Sequence, residues 1–290
     1  MNKILITGST GFIGRALVDN LLNEKKTIFA IIRDSKKNRN LALKIKKKNK
    51  QYFPIFFKKN DELVKKISKI NPNVVVNLAT NYIPFPKQHE ISSVINSNIV
   101  FPSIILDICS KKKISKFINL CSIMQLNKGK IDNPENYYAL TKILFKQTMT
   151  FYNEIYHNKI FLNLYIGDTF GSNDNRRKIL PEIIKNYKKN KKTTVFTKKL
   201  KLNILHVNDV INGIKLLIKK SKKSENYLIK SKRQIDLFNI IKKFNFKSKK
   251  KIKLIWLNKK VNKINKVNIK SIPGWKEKRN VINDFYNLLK

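Results

Sequence analysis

Six short runs of the chain are almost continuously apolar: Lys3 to Thr7, Thr27 to Ile32, Tyr52 to Phe57, Val74 to Leu78, Lys116 to Cys121 and Ile160 to Ile166. A strand with one wet face alternates apolar and polar residues, whereas a run without alternation is expected of a strand buried on both faces. Between the runs the period changes. Phe12, Ile13, Ala16, Leu17, Leu21 and Leu22 fall on one helical face, and similar stripes recur over Glu62 to Ile70, Val94 to Ile108 and Tyr138 to Tyr156. This rhythm of strand and helix predicts an α/β protein with a doubly wound parallel sheet and helices on both faces. After about residue 170 the rhythm breaks. A polar, basic loop precedes a helix near Pro181 to Lys189, a strand near Asn203 to His206 and helices near Val210 to Lys219 and Gln234 to Phe244. The pattern predicts a first domain over 1–170 and a smaller mixed α/β lobe over 171–290, interleaved with the first.

The 290 residues are 42% hydrophobic, enough to bury a core despite 63 Lys+Arg against 18 Asp+Glu and a formal charge of +45. The lysines are spread over Lys36 to Lys50, Lys185 to Lys192 and Lys247 to Lys253 instead of forming one arm. With only eight Gly and eight Pro among many Asn, Ile and Phe, this is the pattern of a composition drifting toward residues with A/T-rich codons. The charge still attracts anionic ligands and makes low-salt RNA binding expected, without specifying a nucleic-acid partner. Cys109 and Cys121 are too few for a disulfide framework, and no His, Cys, Asp or Glu cluster has metal-ligand spacing. No run reaches the roughly 18 uninterrupted apolar residues of a membrane span. A cytoplasmic protein without a metal is the expectation.

Three of the eight glycines, Gly8, Gly11 and Gly14, lie in TGSTGFIG between the first strand and the first helix. There they permit a tight turn, close approach of backbone N–H groups to a pyrophosphate and close helix packing, so Gly8, Ser9, Thr10, Gly11, Phe12, Ile13 and Gly14 are candidates for binding a dinucleotide. That makes the sheet Rossmann-type. The second strand ends in Arg33 and Asp34. An acidic residue here would take the ribose hydroxyl of NAD(H), and an arginine would accommodate the 2′-phosphate of NADP(H). NADP(H) is the favoured reading on Arg33, with Arg15 and Lys36 as helpers, and NAD(H) through Asp34 is the alternative.

In NYYALTK, Tyr138 and Lys142 are four apart on a predicted helix and share a face. A nearby ammonium is expected to bring the phenol down from its ordinary value near pH 10, as an acid/base for an alcohol or ketone requires. His206 is expected to fix a turn between the lobes, His89 and His157 to lie on the surface, and Trp256 and Trp275 to pack the small lobe.

Taken together, TGSTGFIG, VVVNLAT (Val74 to Thr80), Asn98 in NSNIV, FINLCS ending at Ser122, Tyr138 with Lys142, FGSND, LHVNDV and IPGW resemble the extended short-chain dehydrogenase/reductase family. This is the NAD-dependent epimerase/dehydratase type that acts on nucleotide sugars. The stretch DTFGSNDNRRKILP is most similar to the branch of CDP-abequose and CDP-paratose synthases, reductases of 4-keto-deoxysugars in surface polysaccharide (O-antigen) synthesis. The resemblance implies that Ser122 holds the substrate oxygen, Tyr138 exchanges its proton and Lys142 holds the nicotinamide ribose. It implies cofactor contacts from Leu78, Ala79, Thr80 and Asn98, a substrate contact from Thr80, and a homodimer built on two long helices, one bearing Tyr138. Ser122 is followed by Ile123 and Met124 where the 4,6-dehydratases carry Asp-Glu, so dehydration lacks its acid and base. Arg176 and Arg177, in the basic turn after the sixth strand, are candidates for the substrate pyrophosphate.

Three functions follow for comparison: an NADP(H)-dependent reductase of a nucleotide-linked 4-keto sugar, a nucleotide-sugar 4-epimerase that keeps NAD bound, and an RNA-associated or regulatory dinucleotide-binding protein.

Overall fold

The computed structural model describes residues 3–257 and 267–289. At its centre lies a parallel sheet of β1 (Lys3–Thr7), β2 (Thr27–Arg33), β3 (Tyr52–Phe57), β4 (Val74–Asn77), β5 (Lys116–Ser122), β6 (Ile160–Ile166) and an edge strand, Glu225–Ile229. The order across the sheet is edge strand, β6, β5, β4, β1, β2, β3. Winding outward in both directions from β1 leaves a crevice at the carboxyl ends of β1 and β4, where ligands of such sheets bind.

Helices cover both faces because each strand carries apolar side chains on each side. One face packs α1 (Phe12–Asn23) and, from late in the chain, α8 (Val207–Lys220), placing Leu17, Leu21, Ile214 and Leu217 against Ile4, Ile6, Val74 and Val76. The other packs α3 (Glu62–Ser68), α5 (Phe101–Ser110) and α6 (Tyr137–Ile155), placing Ile67, Ile105, Phe145 and Met149 against Leu5, Val75 and Phe117. α2 (Lys36–Lys48), after β2, occupies the lysine-rich run and buries Ala42.

A smaller lobe has its own core. Phe170, Leu180, Ile183, Leu237, Ile241 and Phe285 join α7 (Ile179–Lys188), α9 (Leu237–Lys247) and α10 (Val281–Leu289) around three two-stranded ribbons. Residues past 170 thus feed both cores, since α8 and the edge strand return to the main sheet. Trp256 meets Phe238 in the small lobe at 5.7 Å. Trp275 differs from expectation. Its indole N–H donates to the Asp209 carbonyl at 2.9 Å and its ring packs beside α8 on the first core, because Gly213 leaves room for it.

α4 (Gln88–Ile95) runs into α5 through a π turn at Asn96–Val100, making one helical stretch where the sequence predicted a shorter one. Gln88–Ser110 is long and apolar enough, with mean hydropathy 1.5, to cross a membrane by length and composition. Its α5 half is instead packed against the sheet.

Lysine side chains close several helix ends. Lys112 Nζ donates to the carbonyls of Ser68 and Ile70 after α3, and Lys159 Nζ to those of Lys112 and Ile114 after α5. Lys116, 3% exposed, donates to Leu217 and Ile218 at the end of α8. Ser68, Leu217 and Ile218 belong to the last turns of their helices, where carbonyls are short of intrahelical donors and a cation suits the negative end of the helix dipole.

Candidate active site

β1 ends at Thr7 and the chain turns at Gly8, whose φ of +69° is open to glycine at little cost. A Cβ on Gly8 would lie 2.6 Å from Ala79 N, and one on Gly14 would lie 2.0 Å from Gly8 O. The loop therefore lies tightly on the end of β4 and on the first turn of α1. This arrangement fits a dinucleotide: a backbone cradle at a helix N-terminus, so closely packed that a Cβ at Gly8 or Gly14 would fill it. Thr10, Gly11, Phe12 and Ile13 complete the turn and the opening of α1 at this crevice.

Thr80 and Asn98 meet in the wall of the same crevice. Asn98 is 2% exposed and sits in the π turn, a distortion that helices commonly use to aim a side chain. Its Oδ1 accepts from Thr80 Oγ1 at 3.1 Å and from Asn81 N at 2.7 Å, and its Nδ2 donates to Thr141 Oγ1 at 3.0 Å. Thr141 in turn donates to the Tyr138 carbonyl at 2.7 Å. The wall formed by Leu78, Ala79 and Thr80 is thereby tied to α6.

Asn136 caps α6, its Oδ1 accepting from Ala139 N at 3.0 Å, so Tyr138 and Lys142 stand in the first turns on one face, both buried. Ser122 ends β5. Its Oγ accepts from Met124 N at 3.2 Å, and its N–H donates to Gln125 Oε1 at 2.8 Å. Met124 joins the two segments: its carbonyl accepts from Glu135 N at 2.9 Å, and its Sδ meets Asn136 Nδ2 at 3.6 Å and Tyr82 Oη at 3.9 Å. The Tyr82 ring stands edge-on to Tyr138 at 4.9 Å. Ser122, Tyr138 and Lys142 are thus brought to one corner beside the crevice.

Electrostatics in this corner differ from expectation. Burial pushes the Tyr138 phenol above its ordinary value, with Cys121 and Tyr82 nearby adding to the effect and a hydrogen bond with Thr80 opposing it. Burial also lowers Lys142. The phenol is not brought toward neutrality here, because burial disfavours the phenolate. Cys121 is itself pushed up to about 11 by burial.

At the adenosine end of the crevice, Arg33 is exposed at the end of β2. Asp34 is engaged: Arg39 holds it through Nε at 3.0 Å and Nη2 at 2.5 Å while lying 4.4 Å above the Phe56 ring. The hydrogen bond from Arg39 holds the Asp34 carboxyl below its usual range. Lys36 opens α2. Sequence reasoning did not find Arg39, which reads as one base among many.

The two arginines of the basic turn part company. Arg176 is the more engaged of the two: its Nε and Nη2 donate to both Asp174 oxygens, at 2.8 and 2.7 Å, and Nη2 also to Thr169 O and Oγ1, at 2.7 and 3.0 Å. Its guanidinium also lies 4.3 Å over the Phe12 ring. These partners engage Nε and Nη2, and the side chain clamps the turn to the start of α1 beside Arg15, whose Nη2 donates to Asn173 O at 3.2 Å. Arg177 is exposed. His206 caps α8, its Nδ1 accepting from Asn208 N at 3.2 Å. Among the described residues no group of three His, Cys, Asp or Glu is placed to hold a metal ion.

Comparison with known proteins agrees with this geometry. The model of the NAD dependent epimerase/dehydratase family matches residues 4–229. A CDP-abequose synthase of Yersinia pseudotuberculosis is 25% identical over 217 residues, covering 74% of this chain and 73% of that protein. One from Salmonella muenchen is 26% identical over 255 residues, covering 83% and 80%. The solved UDP-glucuronic acid 4-epimerase from Bacillus cereus, in complex with UDP-glucuronic acid and NAD, superposes with a TM-score of 0.81 at 20% identity, covering 99% of this chain and 98% of that one. With a Rossmann-type sheet, a glycine cradle and Ser122, Tyr138 and Lys142 beside it, the chain belongs to the NAD dependent epimerase/dehydratase family, the extended short-chain dehydrogenase/reductases that modify nucleotide sugars.

Proposed function

We propose that the protein is an NADP(H)-dependent reductase of a nucleotide-linked 4-keto-deoxysugar. The carrying observation is the wall beside Tyr138. Ile123 and Met124 follow Ser122, and Met124 packs against Tyr82 and Asn136, so the corner offers a proton donor for a ketone without the carboxyl pair that dehydration needs. Similarity to the CDP-abequose synthases supports the same reading. A bound nicotinamide dinucleotide supplies the hydride. The chain's own residues do the rest: Ser122 holds the C4 oxygen, and Tyr138, kept protonated by burial, gives its proton to that oxygen as the carbonyl becomes an alcohol. Lys142 holds the ribose.

Asp34, bound by Arg39, supports NADP(H): the carboxylate is neutralised, and Arg33 stands free for a 2′-phosphate. Arg177 is assigned to the sugar pyrophosphate. A homodimer is supported by the exposed apolar stripe Leu140, Leu144, Phe151 and Ile155 on α6. Two buried thiols and a diffusible cofactor suit the cytoplasm.

C4 epimerisation with retained NAD is the second reading. The clamp of Arg15 on Asn173 and of Arg176 on Phe12 favours it, since this clamp would slow dinucleotide exchange. Incubation with NADPH and a CDP-4-keto-deoxysugar separates the two. The reductase oxidises NADPH in proportion to sugar reduced, whereas no oxidation together with C4 inversion of a UDP-hexose would establish the epimerase.

A further inference from the structure

Across the main sheet runs a row of amides outside both the glycine loop and the Ser122–Tyr138–Lys142 corner. Asn77, Asn119, Asn163 and Asn226 occupy paired positions on β4, β5, β6 and the edge strand, and Thr7 holds the paired position on β1. Thr7 Oγ1 donates to Asn77 Oδ1 at 2.6 Å, Asn77 Nδ2 to Asn119 Oδ1 at 3.0 Å, Asn119 Nδ2 to Asn163 Oδ1 at 3.1 Å and Asn163 Nδ2 to Asn226 Oδ1 at 3.0 Å. Every donor points toward the edge strand, so the bonds polarise one another in one direction. Thr7, Asn77, Asn119 and Asn163 are buried.

An apolar row would fill this layer without the desolvation that buried amides carry. What the amides provide is at the head of the row. Having donated its proton, the Thr7 oxygen can only accept, and it accepts from Leu78 N at 3.2 Å and Ala79 N at 3.1 Å. That is the segment against which Gly8 lies too closely for any Cβ. Midway, Asn119 Nδ2 also reaches Cys121 Sγ at 3.4 Å, next to Ser122.

We propose that Asn119 and Asn163 are positioning residues for the dinucleotide: the aligned row fixes Thr7 as an acceptor and so holds the Leu78–Ala79 wall in place from two and three strands away. The proposal rests on reading the Gly8 crevice as the cofactor site. The test is titration of NAD and, separately, NADPH without any sugar, which keeps it independent of the sugar reaction. Asn163→Leu, which touches no part of the crevice, is expected to raise the Kd roughly three- to tenfold and Asn226→Leu roughly twofold. Leu164→Val, the next residue on the opposite face of β6, is expected to lower the melting temperature and leave the Kd unchanged. Asn variants that melt earlier but bind as wild type, or a Leu164→Val that weakens binding equally, would overturn the proposal. If Asn163→Leu does not fold, Asn226→Leu on the half-buried edge decides. Wild type binding neither dinucleotide would overturn the site reading itself, a result visible before any substitution.

Discussion

A methyl group added at four glycines separates backbone strain from steric exclusion. Gly274 has φ +77° and open space around a built Cβ, so Gly274→Ala meets the left-handed penalty alone, about 1–2 kcal/mol. Gly8→Ala has the same penalty, φ being +69°, and its Cβ falls 2.6 Å from Ala79 N, 2.7 Å from Leu78 C and 2.8 Å from Ala79 Cα. The wall must retreat by about 0.8 Å to reach ordinary contact, and forced backbone movement of this kind costs about 1–3 kcal/mol, for a total of about 2–5 kcal/mol. Gly14→Ala carries no φ penalty but lies 2.0 Å from Gly8 O, a deeper clash that drives α1 away from the loop. Gly11→Ala, at 3.2 Å from the same oxygen, needs only a few tenths of an ångström. Urea unfolding should therefore rank the losses Gly14 and Gly8 above Gly274, with Gly11 least. Dinucleotide titration should show weakened binding for Gly8→Ala and Gly14→Ala but not for Gly274→Ala. Equal losses for Gly8→Ala and Gly274→Ala would refute the close approach of loop and wall.

Tyr138→Phe should lower kcat by roughly 10²- to 10⁴-fold with an unchanged melting temperature, measured by NADPH oxidation and thermal unfolding. Because burial raises the Tyr138 pKa, reduction, which consumes the phenol's proton, should stay level from neutral pH to about pH 10 and fall above it, while the reverse oxidation rises with pH; an alkaline limb near pH 7 would contradict this. Arg177→Ala should raise the sugar KM several-fold with little change for NADPH, whereas Arg176→Ala, which releases Asp174 and Phe12, should weaken the cofactor and stability first. If neither variant changes the sugar KM, the turn is no part of the sugar site. Arg39→Ala frees Asp34 and should shift preference from NADPH toward NADH, read as the ratio of their KM values. Leu144→Glu with Phe151→Glu, on the exposed stripe of α6, should yield monomers in analytical ultracentrifugation.

What the sequence made legible follows from how completely each element is buried. β1 and β6 have the predicted ends because strands covered on both faces give near-continuous apolar runs; β3, at the other edge with Phe53 41% exposed, keeps its predicted ends on its apolar run alone, and β2, β4 and β5 differ by one residue. α2 was hidden because it buries only Ala42, leaving its turns indistinguishable from a solvated lysine run. The edge strand lacked the apolar run of the others: its Glu225 and Asn226 are half-exposed beside β6 alone. Spacing placed Tyr138 and Lys142 on one face, but not the balance between a nearby ammonium and burial, which depends on all that surrounds them. Motif position singled out Arg33, Arg176 and Arg177 and passed over Arg39, without showing which of them a carboxylate engages. Only the fold distinguishes the two that Asp34 and Asp174 neutralise.

The lysines that close α3, α5 and α8 bear on chemical handling of so basic a protein. Blanket amine modification, a common means of reducing the stickiness of lysine-rich surfaces, would treat every ammonium as expendable. Lys116 is 3% exposed and engaged with two carbonyls, so in the folded protein it should escape acylation while exposed neighbours such as Lys111 and Lys113 react. Labelling of Lys116 would then report that the end of α8 has come away from the sheet, making this side chain an internal gauge of whether the main sheet has kept its late-added helix.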